Sequence, residues 1–229
     1  MSNEAATIWD RVWRKDSYSE HELRCQKAKK KVELFGDKLE LDAQSVCVDL
    51  GCGGGYVSNE IAARFACKTI GIDFSDAAIQ RAGKTFGASN ANCVFKRGPV
   101  TKIPLPDNCA DAVLCIGILE HVPELEQALS EIKRILRPNG QVVVFTSNRY
   151  SIMYFDRLLK QCFRVWRYGY QKNWSPKGLK KKLVSAGISP VRVETVQGFG
   201  DFPIKNRIDA LIHGLIGAWG RYFMLIGRG

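Results

Sequence analysis

The sequence predicts an α/β fold built on a doubly wound, mostly parallel sheet. Three observations support this prediction. An apolar run, Val46 to Leu50, enters a glycine-dense turn, Gly51 to Gly55. The next ten residues, Tyr56 to Phe65, place apolar side chains at helical spacing. A second short apolar segment, Thr69 to Ser75, contains an acid where a strand would end. Strand, tight turn, helix and strand in this order is the layout of a nucleotide-binding βαβ unit.

The glycine-rich turn offers a carboxylate instead of a phosphate site. Tyr56 stands where a G-x-G-x-x-G dinucleotide pattern needs its third glycine, and no Gly-Lys-Ser/Thr follows as in a P-loop. Asp49, which immediately precedes the turn, would repel a pyrophosphate but suits a cofactor that brings an ammonium group or hydroxyls. Asp73 follows 24 residues later, at the strand end where doubly wound sheets bind ribose hydroxyls. The two acids together predict a cofactor site.

The segment Asp49 to Gly55 resembles the D-x-G-x-G-x-G motif of class I S-adenosylmethionine-dependent methyltransferases, of the type 11/25-like kind. The resemblance implies S-adenosyl-L-methionine as the cofactor. It also implies a Rossmann-like sheet of seven strands in the order 3-2-1-4-5-7-6, with the last strand antiparallel, N-terminal helices and a helical insertion after strand five. Nine residues would then contact the cofactor: Asp49, Gly51, Cys52, Gly53, Asp73, Phe74, Val100, Ile116 and His121.

Three later segments carry the same resemblance. The segment 97–111 is similar to the family's G-D…L-P-F-x-D-x-S-F-D stretch, 116–122 to its v-L-E-H-V segment, and 136–141 to its L-K-P-G-G turn. Pro99 departs from the family pattern, because it replaces an Asp that contacts the adenine amino group. Adenine would therefore be held by the backbone of Val100 and by apolar packing, with lower cofactor affinity as one consequence.

The remaining elements follow from periodicity and capping residues. The predicted helices cover 5–35 (one or two helices), 76–86 with Ser75 as its cap, 124–136, 148–163, 175–186 and 204–219. The further predicted strands are 93–96, 112–116, 141–146, 191–196 and 222–226.

We interpret the chain as three parts of one domain. Residues 1–45 form an N-terminal helical lid, 46–148 the S-adenosylmethionine-binding core, and 149–229 a basic substrate-side insertion with the C-terminal strands. The last part contains fifteen Lys/Arg against four Asp/Glu, which accounts for the whole net charge of +11. This bias favours an anionic ligand or surface. The candidate substrate-binding residues are Tyr18, Arg149, Tyr150, Arg167 and Lys172, with Arg164 as a further candidate for the anionic group.

The predicted helix 204–219 allows two interpretations. Its apolar side chains share one face, which favours a helix that faces the core; alternatively, it caps an apolar substrate or makes a peripheral membrane contact. The eight cysteines form no C-x-x-C pair and have no His at ligand spacing, so we expect reduced thiols and no metal. The polar start of the chain predicts no signal peptide and a cytoplasmic location.

Methyl transfer from a sulfonium requires alignment of donor and acceptor and, for some acceptors, removal of a proton. His121 is the candidate base. The leading hypothesis is a methyltransferase that acts on a small-molecule or a carbohydrate- or lipid-linked acceptor with an anionic group, with the O-, N- or C-acceptor atom left open. Two alternatives remain. One is an RNA methyltransferase that uses the basic third, which the lack of a recognisable RNA-binding module disfavours. The other is a non-catalytic binding or scaffold subunit.

Overall fold

The computed structural model describes residues 3–14, 18–166, 168–198 and 203–229. Its centre is a seven-stranded sheet in the order β3-β2-β1-β4-β5-β7-β6, which confirms the predicted topology. The strands are β1 Val46–Leu50, β2 Lys68–Asp73, β3 Cys93–Arg97, β4 Ala110–Ile116, β5 Leu136–Ser147, β6 Ser189–Val196 and β7 Tyr222–Arg228. The helices are α1 Asn3–Arg14, α2 Tyr18–Phe35, α3 Tyr56–Phe65, α4 Asp76–Ala82, α5 Leu125–Ile135, α6 Ile152–Cys162, α7 Pro176–Ser185 and α8 Pro203–Leu215.

The direction of the strands places the site. The first five strands pair in parallel, and β7 runs antiparallel to both β5 and β6. Because parallel strands end at the same edge, the acids Asp49 and Asp73 and the apolar Ile116 lie along one edge of the sheet. This carboxyl edge is where the functional groups gather.

Apolar side chains cover both faces of the sheet. On one face, β-strand residues such as Val48 and Ile72 pack with Leu129 of α5 and Leu179 of α7. On the other face, strand residues such as Leu114 pack with α2 and α3. Strands buried on both faces need continuous apolar runs, which is the pattern that the sequence shows.

Hydroxyl caps begin three of the helices. Ser75, Ser151 and Ser175 each accept a hydrogen bond from a backbone N–H of the first turn, at the starts of α4, α6 and α7. A cap of this kind contributes about 1 kcal/mol. The cap at Ser75 was predicted, and it fixes the helix that follows the carboxyl end of β2.

Two boundaries differ from the prediction for identifiable reasons. Helix α4 ends at Ala82 instead of at Phe86, and a π-helical turn, Gly83–Gly87, follows it; its two glycines weaken the α-helix. Strand β5 begins at Leu136, inside the predicted turn, because Leu136 pairs with Ala110 across a register shift whose extra residues lie in β5.

Helix α8 does not face the core with its apolar side, so the favoured interpretation of this segment is wrong. Ile204, Leu211 and Leu215 are exposed, whereas Asp209 is fully buried. The buried carboxylate accepts hydrogen bonds from the backbone of Ile152 and the indole of Trp219, and these bonds orient the helix with its polar side inward. None of the described helices has the length and apolar content that a bilayer crossing requires.

Candidate active site

The glycine turn after β1 holds a backbone shape that only glycine adopts readily. Gly51, Gly53 and Gly55 have φ values of 68°, 53° and 80°, in the left-handed region that side chains disfavour. The N–H of Gly51 donates to the carbonyl of Ile72 at 2.7 Å, which ties the turn to the end of β2. The turn therefore presents bare backbone along the carboxyl edge.

Two buried acids flank this turn. Asp49 is 1% exposed and accepts a hydrogen bond from the hydroxyl of Ser58 at 2.6 Å. Asp73 accepts from the N–H groups of Gly53 and Ser75, each at 2.9 Å. Burial raises the pKa of Asp73, and the backbone donors oppose that rise. The side chain of Asp73 thus holds the turn in place, at the strand end where a ribose acceptor is expected.

We expect cofactor affinity to depend on pH through Asp49. Burial raises the pKa of this carboxyl from 3.8 to about 7, although the Ser58 hydrogen bond and Lys31 oppose the rise. The raised pKa therefore lowers folded-state stability progressively as pH rises from 3.8, and this loss is complete above about 7, where the carboxyl is ionised. A bound ammonium favours the ionised form, so binding below that pH releases a proton. Affinity for S-adenosylhomocysteine then increases up to about tenfold per pH unit below the pKa.

Calorimetry in buffers of different ionisation enthalpy measures this proton release directly. Asp49→Asn removes the titrating group and should flatten the pH profile. If the affinity of the unmodified protein for S-adenosylhomocysteine stays constant between about pH 5.5 and about pH 7, the assignment is contradicted.

Helix α1 lies over the glycine turn. The Trp13 ring is so close to Gly53 that a Cβ added there would lie 2.2 Å from its Cζ2 atom. Asp10 accepts from the hydroxyl of Ser75 at 2.5 Å and from the backbone of Ala77 at 3.3 Å. The guanidinium of Arg81 donates to the Trp13 carbonyl at 3.1 Å. These contacts fasten α1 to the start of α4 and cover the side of the cleft near Asp73.

The cleft that remains open beneath α1 has a volume of about 230 Å³. Its floor comes from the ends of β1 and β4, and its wall from α1 and α2. Burial lowers the pKa of Lys31, while the neighbouring Glu120 and Asp49 oppose that fall. The lining residues include Trp9, Trp13, Arg24, Lys27, Lys31, Asp49, Gly51, Cys52, Gly53 and Ile116.

These groups fit the amino-acid half of S-adenosylmethionine. The carboxylate of Asp49 could bind the ammonium group of the ligand. The cations of α2 in the lining, Arg24, Lys27 and Lys31, could bind the carboxylate of the ligand. Asp73, the predicted ribose acceptor, lies on the side that α1 covers, so a sugar and base bound there would need α1 to move away from Gly53.

A second, larger cavity of about 430 Å³ lies beside the cleft. Trp9 lines both cavities, and its ring contacts His121 edge to face with the ring centroids 5.1 Å apart. The other lining residues are Glu120, His121, Ser147, Ser151, Met153, Asp156, Arg157, Lys160, Trp166, Tyr168, Gln171, Asn173, Arg221 and Tyr222.

Two arginines that line this second cavity are almost fully buried. Arg157 and Arg221 are each 7% exposed. One Nη of Arg157 donates to the carbonyl of Gln171 at 2.5 Å, but its buried Nε has no hydrogen-bond partner. No carboxylate among the described residues pairs with Arg157, since Asp156 is engaged by Lys160 and Lys205. A buried guanidinium without a carboxylate is costly unless an anion completes it.

His121 also lines the second cavity, at the end of the segment that follows β4. Its Nδ1 lies 2.9 Å from the carbonyl oxygen of Tyr170. Because a carbonyl only accepts, Nδ1 carries a hydrogen there, and Nε2 of the neutral ring is left as a proton acceptor. The neighbouring Glu120 accepts from the hydroxyls of Thr146 at 2.7 Å and Ser147 at 3.3 Å, which makes it a structural acceptor.

The structure brings together five of the nine predicted cofactor residues in the open cleft: Asp49, Gly51, Cys52, Gly53 and Ile116. Asp73 and Phe74 continue the same edge at the end of β2. Val100 follows Gly98, whose N–H donates to the carbonyl of Asp73 at 2.9 Å, and its side chain is buried in the core. His121 lies in the second cavity.

The predicted substrate residues lie in other places. Neither the open cleft nor the second cavity is lined by Arg149, Tyr150 or Lys172. Arg149 lies 5.9 Å from the ring centre of Tyr154, and Lys172 lies 4.1 Å from that of Trp174. The side chain of Tyr18 and the whole of Arg167 fall outside the described part of the chain.

Sequence reasoning missed several residues of the site. The helical spacing of Trp9 and Trp13 favours packing at an edge of the sheet, but both residues line the open cleft. It also missed Arg157, although a signal was present. Arg157, Met153 and Lys160 recur at helical spacing on the side of α6 that faces the cavity.

A seven-stranded sheet of this order, with two acids beside a glycine turn, defines a class I S-adenosylmethionine-dependent methyltransferase fold. Residues 48–144 match the family model described as "Methyltransferase domain". The sequence-based recognition of a methyltransferase core is thereby confirmed, and the family implies use of an S-adenosylmethionine-type cofactor.

Known methyltransferases are similar to this chain in sequence or in fold. A ubiquinone biosynthesis O-methyltransferase of Nitrosomonas europaea is 30% identical over 153 residues, which cover 64% of each chain. A sterol 24-C-methyltransferase of Gibberella zeae is 36% identical over 96 residues, 41% of this chain and 25% of that protein. The fold is similar to that of a geranyl diphosphate C-methyltransferase of Streptomyces coelicolor, solved with S-adenosylhomocysteine: TM-score 0.67, 15% identity, 87% of this chain and 76% of that one covered. The chain spans less than two thirds of the length of these curated relatives.

Proposed function

We propose that this chain transfers a methyl group from S-adenosylmethionine to a small-molecule acceptor that carries an anionic group. The observation that carries the proposal is the pair of cavities separated by Trp9: a cleft with the two acids, and a larger cavity with buried Arg157 and Arg221. Curated relatives named for ubiquinone biosynthesis and for sterol methylation support an amphipathic acceptor, including a lipid-linked one.

The cofactor, when bound, supplies a methyl group on a sulfonium that is already a good leaving group. The protein therefore contributes mainly binding, orientation and exclusion of water. Asp49 holds the ammonium, Lys31 is placed for the carboxylate, and Asp73 accepts from the ribose hydroxyls. Helix α1 lies above the cleft; after moving to admit the adenosine half, it would close over the cofactor and exclude water.

The second cavity orients the acceptor. Arg157 and Arg221 hold its anionic group, and a bidentate, charge-assisted contact fixes both position and direction. Nε2 of His121 removes the proton when the acceptor is a hydroxyl or an ammonium. An acceptor carbon that is already nucleophilic needs no such base.

Arg157→Gln tests the anionic acceptor. With labelled S-adenosylmethionine and a panel of carboxylate and phosphate-ester acceptors, we expect the KM of any acceptor that is methylated to rise at least about tenfold, because a charged hydrogen bond contributes about 1.5–3 kcal/mol. Affinity for S-adenosylhomocysteine should stay unchanged. Arg149→Gln is the matched control, since Arg149 contacts the same Tyr154 ring from outside the cavity.

Equal effects of the two arginine variants would contradict the anion site. Failure of the unmodified protein to bind S-adenosylhomocysteine would contradict methyl transfer itself and would favour a binding or scaffold subunit.

A further inference from the structure

Helix α8 presents its apolar side to solvent. Ile204, Ile208, Leu211 and Leu215 recur at spacings of four, three and four residues, so they form one stripe, and Leu215 is 88% exposed. The opposite side carries Asp209, which is fully buried and bonded to neighbouring segments. The polar contacts of Asp209 therefore hold the apolar stripe outward.

Helix α6 extends this apolar surface. Its residues Phe155, Leu158 and Leu159 are exposed, and Phe163, directly after the helix, is exposed as well. The ring of Phe155 stacks near Trp219, which follows α8, with centroids 6.5 Å apart.

An ion pair and a backbone bond join the two helices. Lys205 of α8 donates to Asp156 of α6 at 2.8 Å, and the N–H of Ile152 donates to Asp209 at 2.9 Å. The exposed apolar residues of these two joined helices are called the α6/α8 surface below: Phe155, Leu158, Leu159, Phe163, Ile204, Ile208, Leu211 and Leu215. Eight large apolar side chains are more than the scattered exposure that an ordinary surface shows.

The charges near the α6/α8 surface are positive. Arg164 and Arg207 are exposed and form no ion pair within the described ranges. The two carboxylates of α6 and α8 are both engaged: Asp156 binds two lysines, and Asp209 is buried. An apolar stripe with cations beside it and no free carboxylate on either helix, α6 or α8, matches the interface of an anionic lipid bilayer.

We propose that the α6/α8 surface docks onto anionic membranes. A second copy of the chain is a poorer occupant of the α6/α8 surface. Residues 149–229 carry fifteen Lys/Arg against four Asp/Glu, so these basic regions of two copies would repel each other. Helix α6 connects the docked surface with the acceptor cavity, because its other side contributes Met153 and Arg157 to the lining. An amphipathic acceptor would then reach the cavity from the lipid phase.

Co-sedimentation with vesicles tests the proposal. We expect the full chain to sediment with phosphatidylcholine vesicles that contain about 30% phosphatidylglycerol, and to bind pure phosphatidylcholine or vesicles in high salt at least about tenfold more weakly. The double variant Leu211→Glu/Leu215→Glu should lose at least about tenfold in vesicle affinity. Val184→Glu is the matched control, because Val184 is an exposed apolar residue on α7, outside the α6/α8 surface.

Unaltered affinity of the double variant, or absence of binding by the unmodified chain, overturns the proposal. Sedimentation velocity provides a second test. If the unmodified chain is a dimer and the double variant is a monomer, the surface serves self-association and the membrane proposal is rejected. Circular dichroism and thermal unfolding show that each variant is folded. Vesicle binding does not depend on methyl transfer, so failure of the proposed function and failure of this inference give different results.

Discussion

Asp73→Asn is expected to weaken S-adenosylhomocysteine binding about 100-fold, which corresponds to about 3 kcal/mol. The carboxylate of Asp73 accepts from Gly53 and Ser75, and in the proposed function it also accepts from the ribose hydroxyls. An amide keeps the shape of the side chain but replaces one acceptor oxygen with a donor. Either the glycine turn or the ribose then loses a partner. Isothermal calorimetry measures the change.

Asp76→Asn is the control for this prediction. Asp76 is three residues away and pairs with Arg97 at 3.1 Å on the exposed side of α4. Its loss changes the net charge equally but removes no group from the cleft, so affinity should change less than about twofold. If both variants bind equally well, Asp73 is not the ribose acceptor.

Gly53→Ala is expected to destabilise the protein by about 3 kcal/mol. The left-handed backbone at φ 53° costs a side chain about 1–2 kcal/mol. The new methyl group would also meet the Trp13 ring at 2.2 Å, and overpacking of this kind costs about 1–3 kcal/mol. Urea unfolding measures the total.

Two further variants separate the contributions to this loss. Gly117 has a φ of 76° and nothing within 4 Å of an added Cβ, so Gly117→Ala carries the backbone cost alone. In a Trp13→Ala background, Gly53→Ala should likewise cost only about 1–2 kcal/mol. Equal losses at the two glycines in the unmodified background would show that α1 does not rest on the turn.

All seven strands and their order could be predicted because the local sequence patterns agree with the strand order that the family resemblance implies. The glycine turn, the acid at the end of β2 and the cap at Ser75 each fix a neighbouring element, and the resemblance supplied the strand order. Boundaries were less certain where pairing decides them. Strand β5 begins at Leu136 because of a partner in β4 that is distant in sequence.

For the site, too, residues that are close in sequence could be predicted, and residues that meet only in the fold could not. Residues of the glycine turn could be predicted, since Asp49 and Gly53 are close together in sequence. The second cavity could not, because α1, α6 and the segment before β7 meet only in three dimensions. The orientation of α8 was predicted wrongly for a related reason. Periodicity shows that a helix has an apolar side, but the burial of Asp209 decides which way that side points.

The position of Trp9 has a consequence for the order of events in turnover. Because this indole lines both cavities, its position would affect how closely a donor in one cavity and an acceptor in the other can approach. Helix α1 carries Trp9 and Trp13 together, so the movement that admits the adenosine half also reshapes the wall of the neighbouring cavity. In the proposed function, binding of the donor would therefore be coupled to binding of the acceptor through α1.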